Sequence, residues 1–195
     1  LAHAFPKTHI LSSAQPAWIS SSSRDHQLTV WKKALGEDAP SRFILPEAVK
    51  ELPALEGEEI QIVTCPDDEM HSFLYVPSEK TVLGGVSLAE DSHPWMADTK
   101  GLDELDKWIR QVETMASLAP ERVIASHHYS DEKAGNPSIL SCTLEYLKYY
   151  REALASGKTA DAIVSLMSEK YPTLAGKDTL AFGARVITGV EPWVR

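Results

Sequence analysis

The chain has 195 residues, 43% of them hydrophobic and 24% charged, with a formal net charge of −9. That length suffices for one domain over 1–195 that buries roughly 70% of its unfolded surface. The acidic balance speaks against nucleic acid and anionic membrane surfaces as partners: Lys32-Lys33 is the nearest thing to a basic patch, and no stripe exists to neutralise phosphates.

No apolar run approaches the roughly 20 residues of a spanning helix, so no membrane is expected. The start LAHAFPKTH carries no basic segment followed by an apolar one, so no signal peptide is read there. Two cysteines, Cys65 and Cys142, make no disulfide framework. Both are expected as free thiols in a reducing, cytoplasmic compartment.

In chain order, Thr8 to Ser12 is a short β-like run. Pro16 to Leu35 reads as a helix, with proline tolerated in its first turn and Trp18, Leu28, Trp31 and Leu35 as its apolar residues. The serines Ser20 to Ser23 are poor helix interior and predict a break. Gly36 to Pro46 reads as loop. Gly57 to Cys65 alternates as a half-buried strand, Ile60 and Ile62 opposite Glu59 and Gln61. Pro66 to Met70 is an acidic turn, with Asp67, Asp68 and Glu69 expected in solvent. His71 to Pro77 and Lys80 to Leu88 follow as strands, and the short spacings predict an antiparallel meander.

Gly101 to Leu118 is the clearest helix: Leu102, Leu105, Trp108, Ile109, Val112, Met115 and Leu118 keep a 3.6-residue period, and Pro120 closes it. Glu121 to Ser126 reads as a short buried strand. Asn136-Pro137 supplies a cap and a first-turn proline for a helix to about Leu154, ended by Gly157. Thr159 to Tyr171 and Lys177 to Ile187 complete the helices. No linker marks a domain boundary.

Seven histidines are scattered, with no HExxH or HxH spacing among them. His127 differs from the rest. It closes the Arg122 to Ser126 strand, where chains leave sheets and side chains converge on clefts. His128 points the opposite way on an extended chain, so at most one of the pair faces a common site. No GxSxG elbow and no phosphate loop is present.

Several stretches together carry a resemblance: IQIVTCPDDEMHSFLYVP, TVLGGVSLAEDSHPWMAD, the Trp108 helix with LAPERVIASHH, and YPTLAGKDTLAFGAR. They resemble the metallo-β-lactamase superfamily of small metallo-hydrolases. The resemblance implies an α/β fold, the later portion of an αββα sandwich with C-terminal helices. It implies a zinc centre in which His127 is a ligand, with Cys65 and His71 as the other available donors. His93 and Trp95 then shape the mouth of the site and bind substrate.

This chain also departs from the family pattern. The family's HxHxDH loop would lie upstream of Leu1. Val86 stands where the family has a metal-bridging aspartate, Cys65 where it has a histidine, and Ser126 where it has a glycine. Glu90 and Asp91 read as exposed loop acids. Two functions follow as expectations. One is zinc-dependent hydrolysis of a small ester, amide or thioester, with further ligands supplied from outside this chain. The other is a catalytically inactive relative acting as a binding or assembly module. A thiolate role for Cys65 beside His71 is a third. The missing sheet layer predicts a homo-oligomer or a separate chain covering an apolar sheet face.

Overall fold

Period-3.6 hydrophobic spacing dominates the second half of the sequence, and the computed structural model turns it into helices backing a small sheet. The structure describes residue 5 and residues 7–65, 67–128 and 135–193. His3, Pro66 and the side chains of Trp18, Glu69 and Met70 lie outside the described residues. The sequence shows no linker and leads one to expect a single domain, whereas the chain groups into two units, Leu1–Ala54 and Leu55–Arg195.

In the first unit β1 (Leu11–Ser12) pairs in parallel with β2 (Glu47–Ala48). Between them α1 runs from Ala14 to Leu35 without the break expected at Ser20–Ser23. Serine's helix penalty is a few tenths of a kcal/mol, roughly, too little to break a 22-residue helix. Gly36, at φ 59°, ends the helix.

The second unit holds β3 (Gln61–Cys65), β4 (Asp68–Val76), β5 (Thr81–Leu83) and β6 (Arg122–Ile124), in that spatial order. The first three form the expected antiparallel meander, and β6 joins β5 in parallel. Only Val123 of β6 is buried, because β6 is the edge strand and shields itself on one face alone. The register puts Val63, Phe73, Val82 and Val123 toward the helices and Ile62, Leu74, Leu83 and Ile124 in a row on the other face. The alternation read around Ile62 is real, but the core takes the Val63 side.

Two strand boundaries differ from expectation. β5 stops at Leu83 instead of Leu88. Gly85 sits at φ 57°, which only glycine adopts freely, and a 3₁₀ turn over Gly85–Ser87 follows. A Cβ on Gly84 would meet Leu88 Cδ1 at 2.2 Å, so the turn is closed tightly over a buried leucine. β4 begins at Asp68, so most of the acidic turn is strand. Asp67 stays in the turn beside Arg110, whereas Asp68, the first residue of β4, is buried.

Helices α2 (Leu102–Ser117), α3 (Ser138–Ala155), α4 (Ala160–Lys170) and α5 (Lys177–Ile187) match the periodicity closely. α2 packs on β3 and β4, α3 on α2, and α4 on α3 and α5. Leu105, Val112, Met115, Leu147, Ile163, Met167 and Leu180 are fully buried between them. Asn136 Oδ1 accepts from the Ser138 backbone N–H at 2.9 Å, giving α3 the start its sequence promises. Among the described residues no helix is long and apolar enough to cross a membrane.

Candidate functional site

Beyond the 3₁₀ turn, parallel pairing resumes. Glu90 N–H donates to the His127 carbonyl at 2.7 Å, and Ala89 bridges His127 in parallel. This fixes His127 just outside the sheet, beside the turn. At the same end, His71 projects from β4 on the helix-facing side. Both imidazoles line one cleft of about 120 Å³, bounded by β4, the turn, the loop after it and α2.

His71 is held from behind. Its Nδ1 donates to the Asp68 carboxylate, 2.9 and 3.1 Å from the two oxygens. Asp68 is 5% exposed, so the carboxylate is fixed by burial rather than free to wander. An ionised carboxylate only accepts, so Nδ1 is the donor, and in the neutral ring the lone pair is on Nε2.

The walls are aromatic. Trp108 of α2 donates its indole N–H to the Ser87 carbonyl at 2.9 Å. Trp95 donates to Asp98 Oδ2 at 3.1 Å, and Trp193 donates to Oδ1 of the same carboxylate at 2.7 Å. Trp95 also packs on Phe182 and Trp193, with ring centroids 5.5 and 5.8 Å away. Gln111 lies at the floor, its Oε1 accepting from the Ser87 hydroxyl at 2.6 Å. Glu104, in the first turn of α2, and Thr99 complete the rim. Val86 is 63% exposed and opens on the same cleft.

Of the residues singled out by sequence, the structure brings His71, His127 and Trp95 to this cleft. His128 does not line it. Cys65 is buried past the register shift at the end of β3, its thiol 3.7 Å from Thr114 Oγ1. Burial pushes that thiol up from its ordinary range, which works against a thiolate role. His93 is 3% exposed and turned inward, its Nδ1 hydrogen-bonded to the Tyr146 hydroxyl at 2.9 Å. It touches a neighbouring hollow with Trp95 and His127 rather than the main cleft. Glu90 is buried, because its backbone pairs with His127 and draws the residue under the loop. Sequence reasoning missed Asp98, Glu104 and Gln111. Gln111 carried a usable signal: it lies three residues after Trp108 and four before Met115, on the buried face of α2.

No protein-family model and no curated protein matches this sequence. Among solved structures, a metallo-β-lactamase family protein from Thermus thermophilus superposes with a TM-score of 0.53 at 16% identity, over 89% of this chain and 65% of its own. The chain has a metallo-β-lactamase-like fold. A metallo-β-lactamase from Pontibacter korlensis gives a TM-score of 0.46 at 17% identity, over 75% of this chain and 61% of its own. The chain thus spans just under two thirds of these structures, and the metallo-β-lactamase-like fold is present here in part.

A metal centre of this fold needs several converging donors, and zinc takes three or four protein ligands. Among the described residues no group of three His, Cys, Asp or Glu side chains is placed to hold an ion. His71 and His127 share the cleft, Cys65 is turned away, and the Val86 isopropyl offers no donor. The described residues therefore do not hold zinc by themselves.

Proposed function

We propose that this chain is part of a metallo-β-lactamase-fold hydrolase acting on a small ester, amide or thioester. It contributes His71 and His127 to a zinc centre whose other donors lie outside the residues described here. The carrying observation is the pair of imidazoles on one cleft, with buried Asp68 fixing His71. A carboxylate behind an imidazole is the arrangement that orients a ligand histidine and raises its basicity. The Trp95 and Trp108 walls hold the apolar part of the substrate.

The test is elemental mass spectrometry of the chain after dialysis without chelator, followed by zinc titration of wild type and of His71→Ala with His127→Ala. The reading expects zinc binding that the double substitution removes. Zinc binding that survives the double substitution undiminished overturns it.

A second reading is favoured by Val86. An exposed valine at the expected bridging-aspartate position suits a binding or assembly module that kept the cleft and lost the metal. That module predicts ligand binding with no zinc dependence.

The Ile62, Leu74, Leu83 and Ile124 row, half-buried to exposed, supports a further sheet layer supplied by a second copy or another chain. Light scattering on the purified chain expects a mass above the monomer, or a monomer that gains mass with the partner chain. A monomer under every condition rejects the covering layer.

A further inference from the structure

Trp95 stands between two spaces. Among the described residues it and His127 are the two that line both the cleft and the neighbouring hollow of about 190 Å³. The backbone around it is held on both sides. The His93 N–H donates to the Ala175 carbonyl at 2.9 Å. Met96 is fully buried, with Gly183 of α5 so close that a Cβ there would meet Met96 Cβ at 2.9 Å. The Trp95 ring, by contrast, is 37% exposed, so its position depends on its side-chain rotamer.

Three contacts fix that rotamer: the indole N–H on Asp98 Oδ2, the Phe182 ring and the Trp193 ring. Trp193 touches every member of this set. It meets Trp95 edge-on at 72°, meets Phe182 at 89° with centroids 5.5 Å apart, and donates its N–H to Asp98 Oδ1 at 2.7 Å. An edge-to-face aromatic pair is favourable beyond the area it buries, and the carboxylate that Trp193 holds is the one that holds Trp95. The stretch carrying Trp193 is fastened in turn. The Val190 and Glu191 N–H groups both donate to the Arg185 carbonyl, at 2.8 and 3.1 Å, and the Arg185 guanidinium donates to Glu191 Oε2 at 2.7 Å. Trp193 itself is not among the residues that line the cleft.

We infer that Trp193 is a specificity-determining residue: acting through Asp98 and ring contact, it positions Trp95 as the partition between cleft and hollow and so sets how wide a bound molecule can be. That the molecule is a substrate rests on the hydrolytic reading above; the limit on its width does not.

The experiment is a two-dimensional NMR titration of the intact chain with butyramide and with phenylbutyramide, the same amide carrying a ring at the end of its chain. It follows the indole N–H signals of Trp95 and Trp108. In Trp193→Ala the Trp95 signal should move, whereas that of Trp108, tied to the Ser87 carbonyl on the opposite wall, should stay. Phenylbutyramide should gain at least about threefold over butyramide relative to wild type, because the hollow behind Trp95 opens to it. Trp193→Phe keeps a ring against Phe182 and loses the bond to Asp98, so its gain should fall between wild type and Trp193→Ala.

Unchanged selectivity between the two amides in Trp193→Ala overturns the inference. So does an equal loss of both affinities with Trp108 moving as far as Trp95, which is the signature of a loosened fold, or a chain that takes neither amide. The outcomes separate it from the hydrolytic reading. Zinc binding that survives loss of His71 and His127, with amide selectivity that responds to Trp193, removes the hydrolytic reading and leaves this inference standing. Zinc binding lost with those two histidines, with selectivity indifferent to Trp193, does the reverse.

Discussion

His71 and His93 flank the same loop system and are built in opposite ways. His71 is part-exposed on the cleft, with a buried carboxylate behind its Nδ1. His93 is buried, with a neutral phenol behind its Nδ1 and the Tyr146, Tyr150 and Tyr171 rings layered beyond it. Burial, and then the Lys177 charge, push the His93 imidazole below its ordinary range. Burial alone pushes the Tyr150 hydroxyl up, and it is the main cause of the same rise at Tyr146, so this layer stays uncharged. The contrast teaches that an imidazole's partner decides its use. A carboxylate behind the ring holds it ready for a cation or proton, whereas a phenol behind it makes it a packing residue.

The strongest way to break this contrast is to exchange the partners' effects on zinc. Asp68→Asn removes the anchoring charge from His71 and should lower zinc affinity by roughly 10- to 100-fold, read by competition with a chromophoric chelator. Tyr146→Phe should leave zinc affinity within about twofold. Equal losses in the two variants would erase the distinction.

Stability should divide the other way. Tyr146→Phe strips His93 of its Nδ1 partner while Nε2 is already unpartnered, so a buried imidazole is left without hydrogen bonds. The expected cost is about 1–3 kcal/mol in urea unfolding. No measurable cost would mean that the His93–Tyr146 bond contributes nothing.

The helices behind this contrast were legible because periodicity reports burial directly. Leu105, Ile109, Val112 and Met115 recur on one face of α2, and all are buried. The loop was harder. PDDEM reads as an acidic turn, yet β4 begins between the two aspartates and separates Asp67, in the turn with Arg110, from Asp68, under His71. Nothing local in the sequence distinguishes the two aspartates; the bulge after Thr64 does. His93 was read as lining a pocket because the family resemblance puts the His93-Pro94-Trp95 corner at the mouth of the site. Its inward turn depends on Tyr146, fifty-three residues away and visible only in three dimensions. Cys65 was offered as a ligand by alignment alone, and the same bulge sends its thiol to Thr114. His127 stands just past the β6 strand where the sequence puts it, since its position follows from a strand end rather than from side-chain contacts.

The pH dependence sharpens the contrast at a smaller scale. His93 titrates near its ordinary 6.5 when unfolded and lower when folded. The unfolded chain therefore binds more protons between those two values, and stability rises with pH across that window. The contribution is fully present above about 6.5 and is lost as pH falls toward the folded value. His93→Gln should flatten the slope of unfolding free energy below pH 6.5. A slope that persists unchanged in the variant would assign it to other groups.

The smallest expected effect tests whether the tyrosine layer is a polar network or simply apolar packing. The Tyr150 hydroxyl is buried without a partner, unlike that of Tyr146. Tyr150→Phe removes a desolvated oxygen and leaves a gap smaller than a methyl group. The two effects oppose each other, so the net change should lie between no effect and about 1 kcal/mol of added stability in urea unfolding. A loss comparable to that of Tyr146→Phe would mean that Tyr150 has a polar partner. The layer behind His93 would then be a hydrogen-bonded network that could move charge, and the line drawn here between a working histidine and a packing one would have to be redrawn.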